Sequence, residues 1–232
     1  MFIFERDSVK ALEGYAAVVL AAGGSKRFGT NKLLLEINGQ AVLGHVLDAV
    51  LQSGVEEIIV VTGPYREQIG SFLSGPYGEQ IRAGKLRVVY NPDHEHGMAA
   101  SLRIGAESLT KSPLRGVFVV LADHPRLLPQ TLVRLAVEHR AITQKDEFAP
   151  VAHPRYNGKK GHPILLDGAL IGEAIRLSNS DQIRYLTRRY RAEELIVDIP
   201  TRDIIDDLDD HADLKKFQGI NRPAKPILPF IS

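Results

Sequence analysis

The 232-residue sequence has no cysteine. Disulfides, thiolate zinc sites and cysteine nucleophiles are therefore excluded, and the composition fits a cytoplasmic protein. It has no excess of either charge: 29 Lys and Arg face 28 Asp and Glu, for a formal net charge of +1. Neither a basic nucleic-acid footprint nor an acidic tail follows from that balance. It also lacks a long apolar run, falling far short of the roughly 20 residues a membrane-spanning helix needs. The first fourteen residues mix Glu5, Arg6, Asp7, Lys10 and Glu13 with Phe2, Ile3 and Phe4, and hold no apolar core of a signal peptide. Internal repeats and low-complexity tracts are missing too. Partners among nucleic acids or membranes are not expected.

What is present is an alternation of short β-branched runs with helical periodicity. Residues 18–21 read as a buried strand. Val42, Leu43, Val46, Leu47, Val50 and Leu51 then recur at helical spacing up to Gly54, and residues 58–61 form the next strand. The pattern continues with a helix over 66–73, a strand over 87–90, a helix over 98–109, and the most continuous strand at 117–121. Pro129 suits the first position of a helix running to 140. The second half is less regular. It offers strands over 148–152, 163–166 and 195–199, a basic helix over 181–190 and a last helix over 210–217. Such alternation predicts an α/β domain in three layers, with a mostly parallel sheet covered on both faces. The expected division is an N-terminal extension over 1–15, one domain over 16–219, and an extended tail over 220–232 holding Pro223, Pro226 and Pro229. Parallel sheets bind ligands at the carboxyl ends of their strands, so the loops after Ala21, Tyr90 and Leu121 matter most.

The first of these loops runs Leu20-Ala21-Ala22-Gly23-Gly24-Ser25-Lys26-Arg27-Phe28-Gly29, then Thr30-Asn31-Lys32. Backbone N–H groups in a glycine-rich turn approach anions closely, and Arg27 and Lys32 add positive charge. A tight turn with solvated charges is the plainer reading of such a loop in isolation. Its place after the first strand argues instead for a triphosphate. The spacing fits neither the P-loop, since Thr30-Asn31 follow Gly29, nor the dinucleotide fingerprint.

The pattern L-A-A-G-x-S-x-R-F-G-x-x-K resembles the signature of the molybdenum cofactor nucleotidyltransferases, within the wider family of NTP transferases with a Rossmann-like fold. Leu20, Ala21, Ala22, Gly23, Ser25, Arg27, Phe28, Gly29 and Lys32 match it. The resemblance implies a Rossmann-like nucleotidyltransferase domain whose loop wraps a triphosphate, with Arg27 and Lys32 on its oxygens. L-A-A-G is similar to the cytidylyltransferase branch, whereas L-A-G-G marks the guanylyltransferase branch; Ala22 therefore implies CTP.

Asp123 stands at the end of the strand 117–121, before Pro125. Position alone leaves a turn cap and a metal ligand equally open. The resemblance, through its L-x-D-x-P motif, implies a ligand for Mg²⁺, which keeps several waters and takes one or two carboxylates with substrate phosphates. A second acidic stretch, Asp206-Asp207-Leu208-Asp209-Asp210-His211-Ala212-Asp213-Leu214, reads most simply as a solvated helix start. In the family the second metal ligand comes from this segment, which implies Asp207 or Asp209; the family's Thr-Pro-Glu is replaced here by Asp210-His211-Ala212.

Two further loops carry family matches. Gly97, Met98, Ser101 and Leu102 fit G-M-S-x-S-L, with Ala99 in place of the first serine, and Gly97 opens a helix whose N–H groups face a nucleotide. Gly161, His162 and Pro163 fit G-x-x-G-x-P, implied to lie near the acceptor. Lys159, Lys160 and the arginines 184, 188, 189 and 191 are candidates for an anionic pterin phosphate, although a solvated basic face explains the arginines as well. His94 and His96 around Glu95 are better read as loop histidines than as metal ligands. The implied reaction transfers CMP from CTP to the phosphate of a molybdopterin-type acceptor, for delivery to a client molybdoenzyme. The alternatives are a sugar-phosphate or isoprenoid-precursor phosphate acceptor, or a catalytically silent carrier of the cofactor.

Overall fold

All seven residues of β1 (Tyr15–Ala21) are buried. Its neighbours β4 (Glu57–Thr62) and β6 (Gly116–Leu121) are almost as enclosed. Such strands need a cover on both faces. The computed structural model describes residues 12–218 except 26, 112, 146, 180 and 181. Residues 1–11 of the expected extension, and all of the expected tail, lie outside the described residues. Between them run β2 (Glu36–Ile37), β3 (Gln40–Ala41), α1 (Val42–Ser53), α2 (Arg66–Ser74), α3 (Gly78–Arg82) and β5 (Leu86–Tyr90). After β5 come α4 (Met98–Glu107), α5 (Pro129–Thr143), β7 (Val151–Tyr156), β8 (Lys159–Lys160), β9 (Ile164–Asp167) and α6 (Ile171–Ile175). The described residues end in α7 (Ile183–Arg189), β10 (Leu195–Asp198) and α8 (His211–Gln218).

The strand period of two sorts the core into two halves. Ala17, Val19, Ala21, Ile58, Val60, Phe118 and Val120 point to the side covered by α1 and α5. Val18, Leu20, Ile59, Val61, Val117 and Val119 point to the side covered by α4, α6 and α7. Helix α4 lies close on β1. A Cβ at Gly105 would stand 2.3 Å from Val18 Cγ1, so only glycine fits there. Helix α1 ends as expected at Gly54, in the left-handed conformation at φ 89° with its N–H on Leu51 O at 3.1 Å. Among the described residues no helix is long and apolar enough to cross a membrane.

The sheet order is β10-β7-β9-β6-β1-β4-β5, with β8 joined to β7. Pairings β5–β4, β4–β1, β1–β6 and β10–β7 are parallel, and β9 runs antiparallel to both β6 and β7. The three-layer, mostly parallel architecture thus stands. The chain moves from β1 out to β5, then returns across β1 to form β6, so the direction of winding switches between β1 and β6. The ligand crevice of an open α/β sheet opens at that point.

Some boundaries differ from those read in the sequence. The strand expected over 148–152 is found at 151–156 because Pro154, which argues against a strand interior, sits where pairing on one side passes from β9 to β8. Two short hairpins went unread: β2–β3 turns at Asn38-Gly39 and β7–β8 at Asn157-Gly158, with all four φ angles positive. Asn-Gly is the residue pair that a two-residue hairpin turn demands. Helices α3 and α6, five residues each, are too short to show periodicity.

Candidate active site

The glycine-rich segment leaves β1 at the switch point. Leu20, Ala21 and Ala22 are buried and form its floor, whereas Gly23 and Gly24 are exposed. No atom lies within 4 Å of where a Cβ would stand on Gly23, so its bare backbone faces open space. Ser25 takes a left-handed conformation at φ 46°, its carbonyl accepting from Phe28 N at 2.9 Å and its Oγ from Lys32 N at 3.2 Å. The loop is therefore closed on itself, with Lys32 at its foot. Asn31 caps the single turn 32–34 by accepting from Leu33 N. On the side away from β6, Gly63 at the end of β4 lies so close to Ala22 O that a Cβ would stand 2.5 Å from it.

Lys32 and Asp123 meet. Lys32 Nζ donates to Asp123 Oδ2 at 2.6 Å and to Leu208 O at 2.7 Å, while Leu208 N donates to Asp123 O at 2.9 Å. The acidic segment 206–210 is thereby laid against the end of β6. Leu208 is buried, and its neighbours Asp207 and Asp209 are exposed on either side. Arg27 Nη1 lies 3.4 Å from Asp209 Oδ2 in an open ion pair. Phe28 packs against His211 with ring centroids 4.7 Å apart, so α8 closes over the loop from the other side. Among the described residues no group of three or more His, Asp or Glu side chains forms a ready-made metal cage.

The remaining expected residues divide between the crevice and its support. Gly97, at φ 94°, is exposed and leads into α4. Ser101 is buried one turn inside that helix, and its Oγ accepts from Asn91 Nδ2 at 3.0 Å. It orders the loop after β5 and leaves no open hydroxyl. His94 from that loop touches the Gly63 position, and His96 is exposed. Gly161 is pressed against the turn 202–204: a Cβ there would stand 2.1 Å from Ile204 O, and His162 N donates to the same oxygen at 2.8 Å. His162 joins Pro163 through a cis peptide bond. Its ring lies 6.0 Å from that of His124, and Nδ1 of both is buried without a hydrogen-bond partner. Burial, then the neighbouring His124 and His153, push the His162 imidazole down to about 4, against the pull of Asp123. It is neutral at pH 7. Lys160 is held by Glu194, and the arginines 184, 188, 189 and 191 are exposed.

The sequence reading missed the pieces that position the late acidic segment. Asp206 is buried between Arg126 Nη1 and Arg202 Nε, each at 2.8 Å, and Arg126 also stacks on Phe217 at 4.7 Å. Asp203 accepts from Thr131 Oγ1 at 2.8 Å and Leu128 N at 3.3 Å, at the start of α5. The run of acids concealed this, because a charge run reads as a solvated face. The signal was the interleaving of Ile204, Ile205 and Leu208, which turns Asp203 and Asp206 inward.

A lysine from a glycine-rich loop facing a strand-end carboxylate, across the switch point of a parallel sheet, defines an α/β nucleotide-binding enzyme of the phosphate-transfer type. Comparison with known proteins gives the family: the MobA-like NTP transferase domain matches residues 17–195, and the chain belongs to that family of nucleotidyltransferases, with an NTP as substrate. It is 31% identical over 156 residues to the nicotine blue oxidoreductase of Paenarthrobacter nicotinovorans, covering 66% of this chain and 71% of that protein. It is 34% identical over 128 residues to the bifunctional protein GlmU of Streptomyces griseus subsp. griseus, covering 54% of this chain and only 25% of GlmU. Among solved structures, Rv0371c of Mycobacterium tuberculosis H37Rv superposes with a TM-score of 0.72 at 25% identity, over 88% of this chain and 97% of that one. A manganese complex of Rv0371c superposes with a TM-score of 0.67 at 21% identity.

Proposed function

We propose that this chain transfers CMP from CTP to the phosphate of a molybdopterin-type acceptor, releasing pyrophosphate, with Mg²⁺ held by Asp123. The observation that carries the reading is the convergence of Lys32, Asp123 and Leu208 at the switch point. The preference for CTP rests on Ala22, and the acceptor on the G-H-P match of Gly161, His162 and Pro163.

The residues fit a divalent cation. Asp123 already holds a positive charge, the Lys32 ammonium, on one carboxylate oxygen. Asp207 is exposed, one residue from the backbone bonded to Asp123. Asp209 stands on the other side of Leu208, in an open ion pair with Arg27 that separates at little cost, so Asp207 or Asp209 supplies the second carboxylate. Few carboxylates and no closed cage are what Mg²⁺ with a triphosphate requires, and the manganese complex of Rv0371c supports a divalent metal. When bound, Mg²⁺ supplies charge neutralisation at the α-phosphate.

The chain's own residues do the rest. Gly23 and Gly24 let the backbone approach the triphosphate, over the floor of Leu20, Ala21 and Ala22. Ser25 holds the loop in register, and Gly97 presents the start of α4 to the nucleotide, with Ser101 fixing Asn91 behind it. Lys32 and Arg27 stabilise the charge that develops on the leaving pyrophosphate. His162, neutral and half-buried, offers hydrogen bonding to the acceptor without adding charge. Positioning and preorganised charge carry such a transfer, with no covalent intermediate on the protein.

The likeness to a protein named as an oxidoreductase favours a second reading, a redox enzyme on the same domain. NTP-dependent pyrophosphate release by the wild type separates the two, and substitutions then test the site. Asp123→Asn abolishes NTP-dependent pyrophosphate release while leaving the folded state intact. Lys32→Ala lowers kcat/KM by ~10²–10³, the usual loss for one preorganised charge contact. Undiminished pyrophosphate release by Asp123→Asn would sink the site assignment.

A further inference from the structure

Among the described residues, the loop's two cations, Lys32 and Arg27, are already partnered, and by two of the three carboxylates proposed for the metal. Lys32 is on Asp123 at 2.6 Å and on Leu208 O at 2.7 Å; Arg27 is 3.4 Å from Asp209. The two pairs differ in burial. Lys32 and Asp123 have side-chain exposures of 15% and 23%, against 71% and 52% for Arg27 and Asp209. Separating an enclosed pair leaves each charge poorly solvated, whereas an open pair separates at little cost.

This asymmetry sets how the crevice fills. If Asp123 took a divalent cation alone, Lys32 would remain beside it as a repelled, enclosed ammonium. If Lys32 took a triphosphate alone, Asp123 would face added negative charge with its counter-ion withdrawn. When both arrive, Asp123 passes to the divalent cation, Lys32 passes to the phosphates, and no enclosed charge is stranded. Leu208 O, whose own N–H is tied to Asp123 O at 2.9 Å, gives Lys32 an anchor through the exchange. We infer that the crevice loads by exchange of ion-pair partners: Lys32 is the resident cation of Asp123, and divalent metal and nucleotide bind cooperatively because each releases the partner the other needs. This rests on the nucleotidyltransferase reading and adds to Lys32 a role in setting the affinity for metal alone.

The test is binding of Mn²⁺ alone, measured by the paramagnetic resonance of the free ion, and of Mn²⁺ with a non-hydrolysable CTP analogue, by calorimetry. Lys32→Met binds Mn²⁺ alone at least tenfold more tightly than the wild type, because Asp123 has lost its resident cation. Lys32→Gln, which keeps a donor for Leu208 O, does the same and serves if the methionine variant fails to fold. Arg27→Ala stays within about twofold of the wild type, its pair being open. In the wild type, metal and analogue each tighten the other by the same factor, as linkage requires. That factor shrinks in both Lys32 variants. Mn²⁺ binding alone that is unchanged in folded Lys32→Met and Lys32→Gln would overturn the exchange. Asp123→Asn separates this from failure of the underlying reading. If it loses Mn²⁺ while the Lys32 variants behave as wild type, only the exchange is wrong; if it binds Mn²⁺ and analogue as the wild type does, the site assignment falls with it.

Discussion

Replacing Asp206 by asparagine removes one charge and almost no volume from beneath the proposed metal segment. Its carboxylate bonds Arg126 Nη1 and Arg202 Nε, both at 2.8 Å. Arg202 is 64% exposed, so its pair contributes little. Arg126 is 27% exposed, and losing a charge-assisted bond to a buried partner costs about 1.5–3 kcal/mol. Its guanidinium keeps the face of Phe217 as a partial substitute. The net loss is then about 1–3 kcal/mol, which for a domain of this size lowers Tm by roughly 2–12 °C. Function is affected separately. Asp206 precedes Asp207 and Leu208, so a loosened segment shifts the second proposed carboxylate and the oxygen that anchors Lys32. Half-saturation for Mg²⁺ in pyrophosphate release therefore rises, by about tenfold if the shift costs about 1.4 kcal/mol of metal binding. Thermal unfolding and a Mg²⁺ titration at saturating nucleotide measure the two effects. An unchanged Tm with an unchanged Mg²⁺ midpoint would refute the claim that Asp206 holds this segment in place.

Acid destabilises the fold through His162. Its folded value, near 4, lies below the ordinary histidine value, so between those limits the unfolded chain binds the proton that the native ring refuses. Stability is full above about pH 6.5 and falls as pH drops towards 4, by on the order of 3 kcal/mol. Denaturant titrations at both ends of that window show a smaller difference for His162→Gln; an equal difference would assign the acid sensitivity elsewhere. Gly105→Ala drives a Cβ to within 2.3 Å of Val18 and pushes α4 off β1, costing about 1–3 kcal/mol. Its urea midpoint should fall accordingly, and an unchanged midpoint would mean that the helix shifts freely.

The parts of the molecule legible in its sequence are those where one physical signal dominates. Residues 18–21, 58–61 and 117–121 are continuous apolar runs rich in valine and isoleucine, and they lie in the three central strands. Gly54 and Pro129 mark helix ends as their backbone preferences require. The glycine-rich loop and Asp123 were visible as types at strand ends, but no spacing showed that Lys32 would reach Asp123 across 91 residues. The second half was harder because signals compete there. Pro154 masks a strand that tolerates it, and the acids of 203–213 look uniformly solvated although Asp203 and Asp206 are buried. Gly161 matched a family motif, yet its contact with Ile204 O gives it a packing reason as well.

The most direct test is pyrophosphate release with CTP, GTP, UTP and ATP in turn, each with Mg²⁺ and the molybdopterin-type acceptor. The account predicts release with CTP alone, dependent on the acceptor and lost in Asp123→Asn. Release with GTP instead would overturn the inference from Ala22 while keeping the class of reaction. No release with any nucleotide from the folded protein would contradict the account at its centre.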